Sequence, residues 1–209
     1  MGFSRTDGRE AERSERPTFA DVFRGEHSFI ADRQRIYVPF FSDCTRVVDL
    51  GSGRGEFLDL LAEAGITAEG VELDGSLARA CRRRGLAVKE QDALAYLEQI
   101  EPASLDGLFS AQFIEHVDPA RLGDMVVLAR RALRQGGTFV AETVNPENYE
   151  AFKTFHVDLT HQRPIFPQVL LQLCWEAGFE GAWIFYPLGG GFTQREYDAV
   201  GEYAVVARA

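Results

Sequence analysis

A short β-branched run, Val47-Val48-Asp49-Leu50, passes directly into Gly51-Ser52-Gly53-Arg54-Gly55, and apolar residues at helical spacing follow at Phe57, Leu58, Leu61 and Ala64. This order of strand, glycine-rich turn and helix constrains the chain more than any other feature. Glycines let the backbone turn sharply and approach a ligand without a Cβ in the way. In open parallel sheets, ligands sit beyond the carboxyl ends of the strands. Gly65 reads as the helix stop, and residues 67–73 as a second strand carrying Glu72, 21 residues after Gly51. A carboxylate there can accept both hydroxyls of a ribose, or it can be an ordinary loop acid. The G-x-G-x-G spacing is not the G-x-G-x-x-G of dinucleotide sites, so the weight falls on Glu72.

The alternation continues along the chain. The pattern predicts a helix over 76–84, a short strand over 87–89, a helical turn over 93–98 and a strand over 105–112. A helix over 119–133 follows, started by Pro119, with Leu122, Val126, Ala129 and Leu133 on one face and Gly136-Gly137 after it. A strand over 138–144, a helix over 167–177 and closing strands over 179–186 and 202–207 complete the series. Such alternation predicts an α/β fold with a mostly parallel sheet covered on both faces. The two late strands, with no long helix between them, predict an antiparallel finish. Ahead of the first strand, Phe19, Val22, Phe23, Phe29, Ile30, Ile36 and Tyr37 suggest one or two helices before Pro39.

At 209 residues the chain suits one domain. Residues 1–17 read as a mobile tail and 18–209 as the folded unit, with a helical cap over 18–41 and an insert over 145–167. Residues 1–40 are charge-neutral, so residues 41–209 carry the whole net charge of -10. An acidic surface repels phosphate polymers, which argues against duplex nucleic acid as the main partner. No apolar run reaches the ~20 residues of a membrane span, and the polar start lacks a secretory h-region. Cys44, Cys81 and Cys174 lie far apart without CxxC spacing, so a reduced, cytoplasmic setting is expected. An oligomer is compatible with the pattern.

Val47 to Gly55 and Gly70-Val71-Glu72-Leu73-Asp74 resemble the first two motifs of class I S-adenosylmethionine-dependent methyltransferases. Gln91-Asp92-Ala93, Leu108 to Val117 and Leu133-Arg134-Gln135-Gly136-Gly137 resemble later ones, so the similarity covers roughly residues 45–186. The resemblance implies a Rossmann-like sheet of seven strands. It also implies that Asp49, Gly51, Ser52, Gly53 and Gly55 hold the methionine part and that Glu72 holds the ribose. Leu73 would pack on adenine, Asp92 and the Ala93 backbone would read its amino edge, and Gln112 would lie beside the activated methyl. A sulfonium ligand without phosphate suits the acids around the turn.

Methyl transfer is an in-line displacement, and a hydroxyl acceptor needs a base or a metal beside it. Glu115-His116 after the fourth strand, and His161 in the insert, are the candidate catalytic residues. Glu115 and His116 also form a candidate site for a divalent ion such as Mg²⁺. The Gln-x-x-Glu-His spacing is similar to a Glu-x-x-Glu-His metal motif of ubiquinone-pathway and small-RNA methyltransferases, with Gln112 replacing the first Glu. Equally, His116 can cap a helix, Asp158 and His161 can pin a loop, and His27 is structural. In the insert, Asn145, Tyr149, His156, Asp158 and Arg163 are candidate acceptor-binding residues, although Tyr149, Phe152 and Phe155 can also form a plain lid.

Four phrases go further: residues 19–25, Arg33-Gln34-Arg35-Ile36-Tyr37, Glu142-Thr143-Val144-Asn145-Pro146 and residues 158–164. Together they resemble bacterial polysaccharide O-methyltransferases, among them the mycobacterial 1-O-methyltransferase type that caps methylmannose polysaccharide precursors. That resemblance implies a mannoside or oligosaccharide acceptor. The alternatives are a phenol- or quinone-type small-molecule acceptor, or a cofactor-binding partner protein without turnover.

Overall fold

The computed structural model describes residues 26–187 and 201–209. The tail expected over 1–17, and Phe19, Val22 and Phe23, lie outside them. The chain runs through α1 (His27–Gln34), a 3-10 segment (Arg35–Phe41), β1 (Val47–Leu50), α2 (Glu56–Glu63), β2 (Ala68–Glu72) and α3 (Gly75–Arg83). Next come β3 (Val88–Glu90), α4 (Ala93–Gln99), β4 (Leu105–Ala111), a 3-10 turn (Ile114–His116), α5 (Leu122–Ala132) and β5 (Leu133–Val144). It closes with α6 (Tyr149–Phe155), α7 (Pro167–Glu176), β6 (Gly181–Phe185) and β7 (Glu202–Arg208).

Seven strands form one sheet in the order β3-β2-β1-β4-β5-β7-β6. Pairing is parallel from β3 to β5 and antiparallel where β7 lies between β5 and β6. The chain therefore adopts the expected Rossmann-like α/β architecture, antiparallel finish included. Successive strands leave β1 in one direction and β4 in the other, so the order reverses between these two neighbours. Their carboxyl ends frame the crevice where such sheets bind ligands.

Burial explains why the central strands read as continuous apolar runs. β1 and β4 are buried along their whole length because both faces are covered. On one face, α4, α5 and α7 pack Leu97, Met125, Val126 and Leu170 against Val48, Leu108 and Phe139. On the other, the 3-10 segment and α2 bring Tyr37, Phe41, Phe57 and Leu61 onto Val47, Phe109 and Val140. Phe57 stacks on Phe109 with ring centroids 3.7 Å apart; truncating a buried Phe of this kind costs about 3–5 kcal/mol. The 3-10 segment runs along this second face, from Phe40 and Phe41 beside Thr138 and Gly107 to Tyr37, which reaches Glu142 toward the carboxyl end of β5.

Three expectations are corrected. The fourth crossover helix starts at Leu122 rather than Pro119, because Asp118 accepts the Ala120 N–H at 2.9 Å and shapes a turn there. It also stops at Ala132: Leu133 opens β5, and the glycines expected after the helix lie inside that strand. The β4–β5 register shifts between Leu105 and Gly107, and Gly136 takes φ +74°, so the glycines serve a bulge. Finally, the N-terminal helix tightens into a 3-10 segment that runs through Pro39 instead of ending before it. Among the described residues, no helix is long and apolar enough to cross a membrane.

Candidate functional site

The turn after β1 is held by backbone geometry. Gly51, Gly53 and Gly55 have φ of +69°, +55° and +80°, a region costly for residues with a Cβ. At Gly51 a Cβ would also lie 2.7 Å from the Phe113 ring, so the turn and the end of β4 approach as closely as glycine permits. The Gly51 N–H donates to the Val71 carbonyl at 2.8 Å, which pins the turn to β2.

Glu72 completes this half. Its Oε2 accepts the Gly53 N–H and its Oε1 the Asp74 N–H, both at 2.8 Å. A carboxylate has about four acceptor directions, so two backbone donors fix the group and leave capacity for a diol. Leu73, next in sequence, is a large apolar side chain left 70% exposed. Asp49 is buried at the end of β1. Asp92 caps α4 by accepting the Ala95 N–H at 2.9 Å, with Ala93 buried behind it. Ser52 is buried within the turn. The nearby cation Arg54 is paired with Glu56 at 2.8 Å. The donor set is thus acidic, and it fits a cationic nucleoside better than a pyrophosphate.

The second half lies at the ends of β4 and β5. Gln112 takes φ +50° as it leaves β4. Glu142 grips it twice: the Gln112 N–H donates to the Glu142 carbonyl at 3.1 Å, and Nε2 donates to Oε1 at 3.3 Å. The other carboxylate oxygen of Glu142 accepts the Tyr37 hydroxyl at 2.5 Å. Burial holds this carboxyl above its ordinary range, against the hydrogen bond from Tyr37.

Beyond Gln112, one ligand atom from each of Glu115, His116 and His161 comes within 4.8 Å of the others. Glu115 is buried, and the two imidazoles meet edge-on with centroids 4.7 Å apart. The insert docks here through the Gln162 N–H, which donates to the Glu115 carbonyl at 2.8 Å. Both tautomers follow from the surroundings. The Thr160 hydroxyl donates its hydrogen to Asp158 Oδ1 at 2.6 Å, so it can only accept from His116 Nδ1, 3.0 Å away. His161 Nδ1 faces the Phe155 carbonyl at 2.7 Å and must donate to it. In the neutral form, each ring therefore carries its basic lone pair on Nε2. Burial opposes the charge of Asp158, but the Thr160 hydroxyl and amide and His161 hold its carboxyl below its usual range.

The structure thus brings the predicted catalytic residues Glu115, His116 and His161 together, and His161 joins the pair expected to bind metal. The predicted acceptor residues are more scattered. Asn145 is buried in the turn after β5, where its Oδ1 accepts the Glu147 N–H at 3.1 Å. Tyr149 is 72% exposed on α6. His156 is exposed, with Phe152 and Phe155 set edge-on to its ring, and Arg163 is exposed. Asp158 serves Thr160 as described. Sequence reasoning missed the roles of Tyr37, Glu142 and Thr160. All three stand in phrases that carry the polysaccharide-enzyme resemblance, but nothing local shows, for example, that Tyr37 and Glu142, 105 apart in sequence, share a hydrogen bond.

Comparison with known proteins bears on the fold and the family. The family model described as "Methionine biosynthesis protein MetW" matches residues 31–139, about half of the chain. A solved S-adenosylmethionine-dependent methyltransferase from Archaeoglobus fulgidus superposes with a TM-score of 0.82 at 28% identity, covering 91% of this chain and 98% of that one. The fold is therefore that of the class I methyltransferases. Among curated proteins, the ubiquinone biosynthesis O-methyltransferase of Methylococcus capsulatus is 33% identical over 106 residues, 48% of this chain and 44% of the relative. A protein of the same name from Idiomarina loihiensis is 29% identical over 185 residues, 78% of this chain and 74% of the relative. The chain spans less than half the length of the first of these.

Proposed function

The chain belongs to the family described as methionine biosynthesis protein MetW, and from that premise we propose that it transfers a methyl group from S-adenosylmethionine to an oxygen of a small-molecule acceptor. The observation that carries this reading is the adjacency of two preorganised halves. One is a carboxylate fixed by backbone amides beside a glycine turn. The other is a pair of imidazoles whose basic nitrogens are set by Thr160 and the Phe155 carbonyl.

S-adenosylmethionine supplies an electrophilic methyl on a cationic sulfur. Glu72 binds the ribose diol, Leu73 covers the adenine, and the Gly51–Gly55 backbone with Asp49 holds the methionine end. His116 or His161 takes the acceptor's hydroxyl proton on Nε2 as the oxygen attacks, which is general base catalysis. The same two rings with Glu115 can instead hold a divalent ion that activates the hydroxyl. Two imidazoles and one carboxylate suit Zn²⁺ or Mn²⁺ better than Mg²⁺, which prefers oxygen ligands. Of the expected acceptor residues, Asp158 stands beside the imidazole pair, 3.9 Å from His161 Nε2, and would border the acceptor.

A phenol- or quinone-type acceptor is supported by the names of the curated relatives. The mannoside reading rests on the sequence phrases alone, so the small-molecule alternative takes precedence. A second reading, a cofactor-binding partner without turnover, is favoured by the family description, which names a biosynthesis rather than a methyl transfer.

Incubation with methyl-labelled cofactor and panels of hydroxybenzoates, catechols and mannosides separates these readings. Label on the phenols is expected. Label only on mannosides would restore the sugar acceptor, and no label despite S-adenosylhomocysteine binding would favour the partner protein. Undiminished turnover in excess EDTA, with no heat on titrating Zn²⁺ or Mn²⁺, would remove the ion.

A further inference from the structure

Glu142 stands in the phrase that ends the fifth strand, but no role has been given to it beyond its bonds to Tyr37 and Gln112 at the crevice. Val47 and Val140 bury into the same cluster as Phe109 and Ala111. Side chains two residues on along a strand share a face, so Asp49 and Glu142 lie on that same face. In register, Asp49 pairs with Phe109 and Glu142 with Ala111. Two buried carboxylates therefore stand at the carboxyl ends of β1 and β5, on either side of β4, next to the point where strand order reverses.

Burial, with Glu202 nearby, pushes the Glu142 carboxyl up, while the Tyr37 hydroxyl, Arg33 and the Gln112 amide favour its ionised form. Both oxygens accept hydrogen bonds, one from the Tyr37 hydroxyl and one from Gln112, and a carboxylate is an acceptor only. The neighbouring cation, Arg33, is already paired with Glu202. With Glu142 ionised, Arg33, Glu142 and Glu202 together carry one net negative charge at the end of β5.

We propose that Glu142 is a specificity-determining residue that favours the cationic sulfonium of S-adenosylmethionine over the neutral thioether of S-adenosylhomocysteine, so that the spent product is released more readily than the substrate is lost. This rests on the reading of the crevice as the cofactor site. Glu142 acts through space and through Gln112, whose amide it orients. Neighbouring strands are about 4.8 Å apart, so a cation above the end of β4 sits roughly 5–6 Å from each flanking strand. By Coulomb's law a unit charge at that distance changes affinity by about threefold in bulk water and by more than about a hundredfold at an effective dielectric of about 20, so a partly screened site gives an effect on the order of tenfold.

Calorimetric titration of the full chain with S-adenosylmethionine and, separately, S-adenosylhomocysteine tests this. Glu142→Gln keeps the shape and removes the charge. It is expected to lower the affinity ratio of sulfonium to thioether by about tenfold, with thioether affinity changed less than about threefold. A purely structural role would weaken both ligands together and leave the ratio unchanged, which overturns the proposal. Arg33→Gln keeps Glu142 and removes the nearby cation. It is expected to raise the ratio severalfold, so an unchanged or lower ratio also overturns the proposal, even if Glu142→Gln does not fold. Wild-type protein that binds neither ligand would instead remove the cofactor reading on which the proposal stands.

Discussion

The Gly51–Gly55 turn and the Asp158–His161 loop stand at the same end of the sheet, but they are built in different ways. The turn is made of backbone: three glycines in left-handed conformations, with amides that reach Val71 and Glu72. Its parts lie within about two dozen consecutive residues. The loop side is made of side chains, with His116 locked by Thr160 and His161 by a carbonyl on α6. A backbone cradle tolerates little change in shape but presents the same donors whatever its side chains. A side-chain cluster is the reverse: single groups can be removed without disturbing the fold, and each removal deletes a chemical function. The first half is thus suited to an invariant cofactor and the second to chemistry that depends on the acceptor.

Substitutions should separate the two halves, beginning with the largest effect. Gly51→Val places a branched side chain at φ +69° with a Cβ 2.7 Å from Phe113. It should abolish calorimetric S-adenosylhomocysteine binding and cost about 3 kcal/mol in urea unfolding. Binding within tenfold of wild type would show that the cradle is not the cofactor site. His161→Ala should lower turnover about 10²–10³-fold while S-adenosylhomocysteine affinity stays within about threefold, since only a proton acceptor is lost. A parallel fall in affinity would mean that the two halves are one unit. Glu72→Gln retains the backbone contact at one oxygen and should weaken the same ligand about 10–30-fold, a loss of charge-assisted hydrogen bonds to a diol.

The smallest effect is expected at the opposite end of β4, as a control. Asp106 accepts the Thr45 hydroxyl at 2.5 Å, the Thr45 N–H at 2.7 Å and a bond from Arg134. Burial opposes its charge, but the Thr45 hydroxyl and Arg134 outweigh this and hold its carboxyl below the ordinary 3.8. A depressed acid stabilises the fold fully above about pH 4 and loses that contribution as pH falls through its folded value. Asp106→Asn should therefore cost about 1–2 kcal/mol at pH 7 and flatten the acid limb of the stability profile, with cofactor affinity unchanged. An acid limb as steep as wild type would assign it to other carboxylates.

Much of the first half is legible in the amino-acid sequence. The run from Val47 to Gly55 shows strand, turn and helix because each is a local preference: β-branched residues, then glycines, then apolar residues at helical spacing. Glu72 is legible because a single crossover fixes its distance from the turn. By contrast, Leu133 looks like the last residue of a helix face and instead opens β5, because pairing with Leu105 outweighs the local pattern. The ingredients Glu115, His116 and His161 are visible in the sequence, but the partnership of the two rings is not, since residues 116 and 161 meet only when the insert folds back over the end of β4.

The sequence by itself determined the alternating architecture, the glycine turn and the acid opposite it, because these depend on backbone preferences and spacings of a few residues. Only the tertiary structure decided which nitrogen of each histidine is basic, and that Tyr37 and Glu142 share a buried hydrogen bond beside Gln112. Such features depend on which distant groups exclude water from one another, and no local stretch of chain encodes that exclusion.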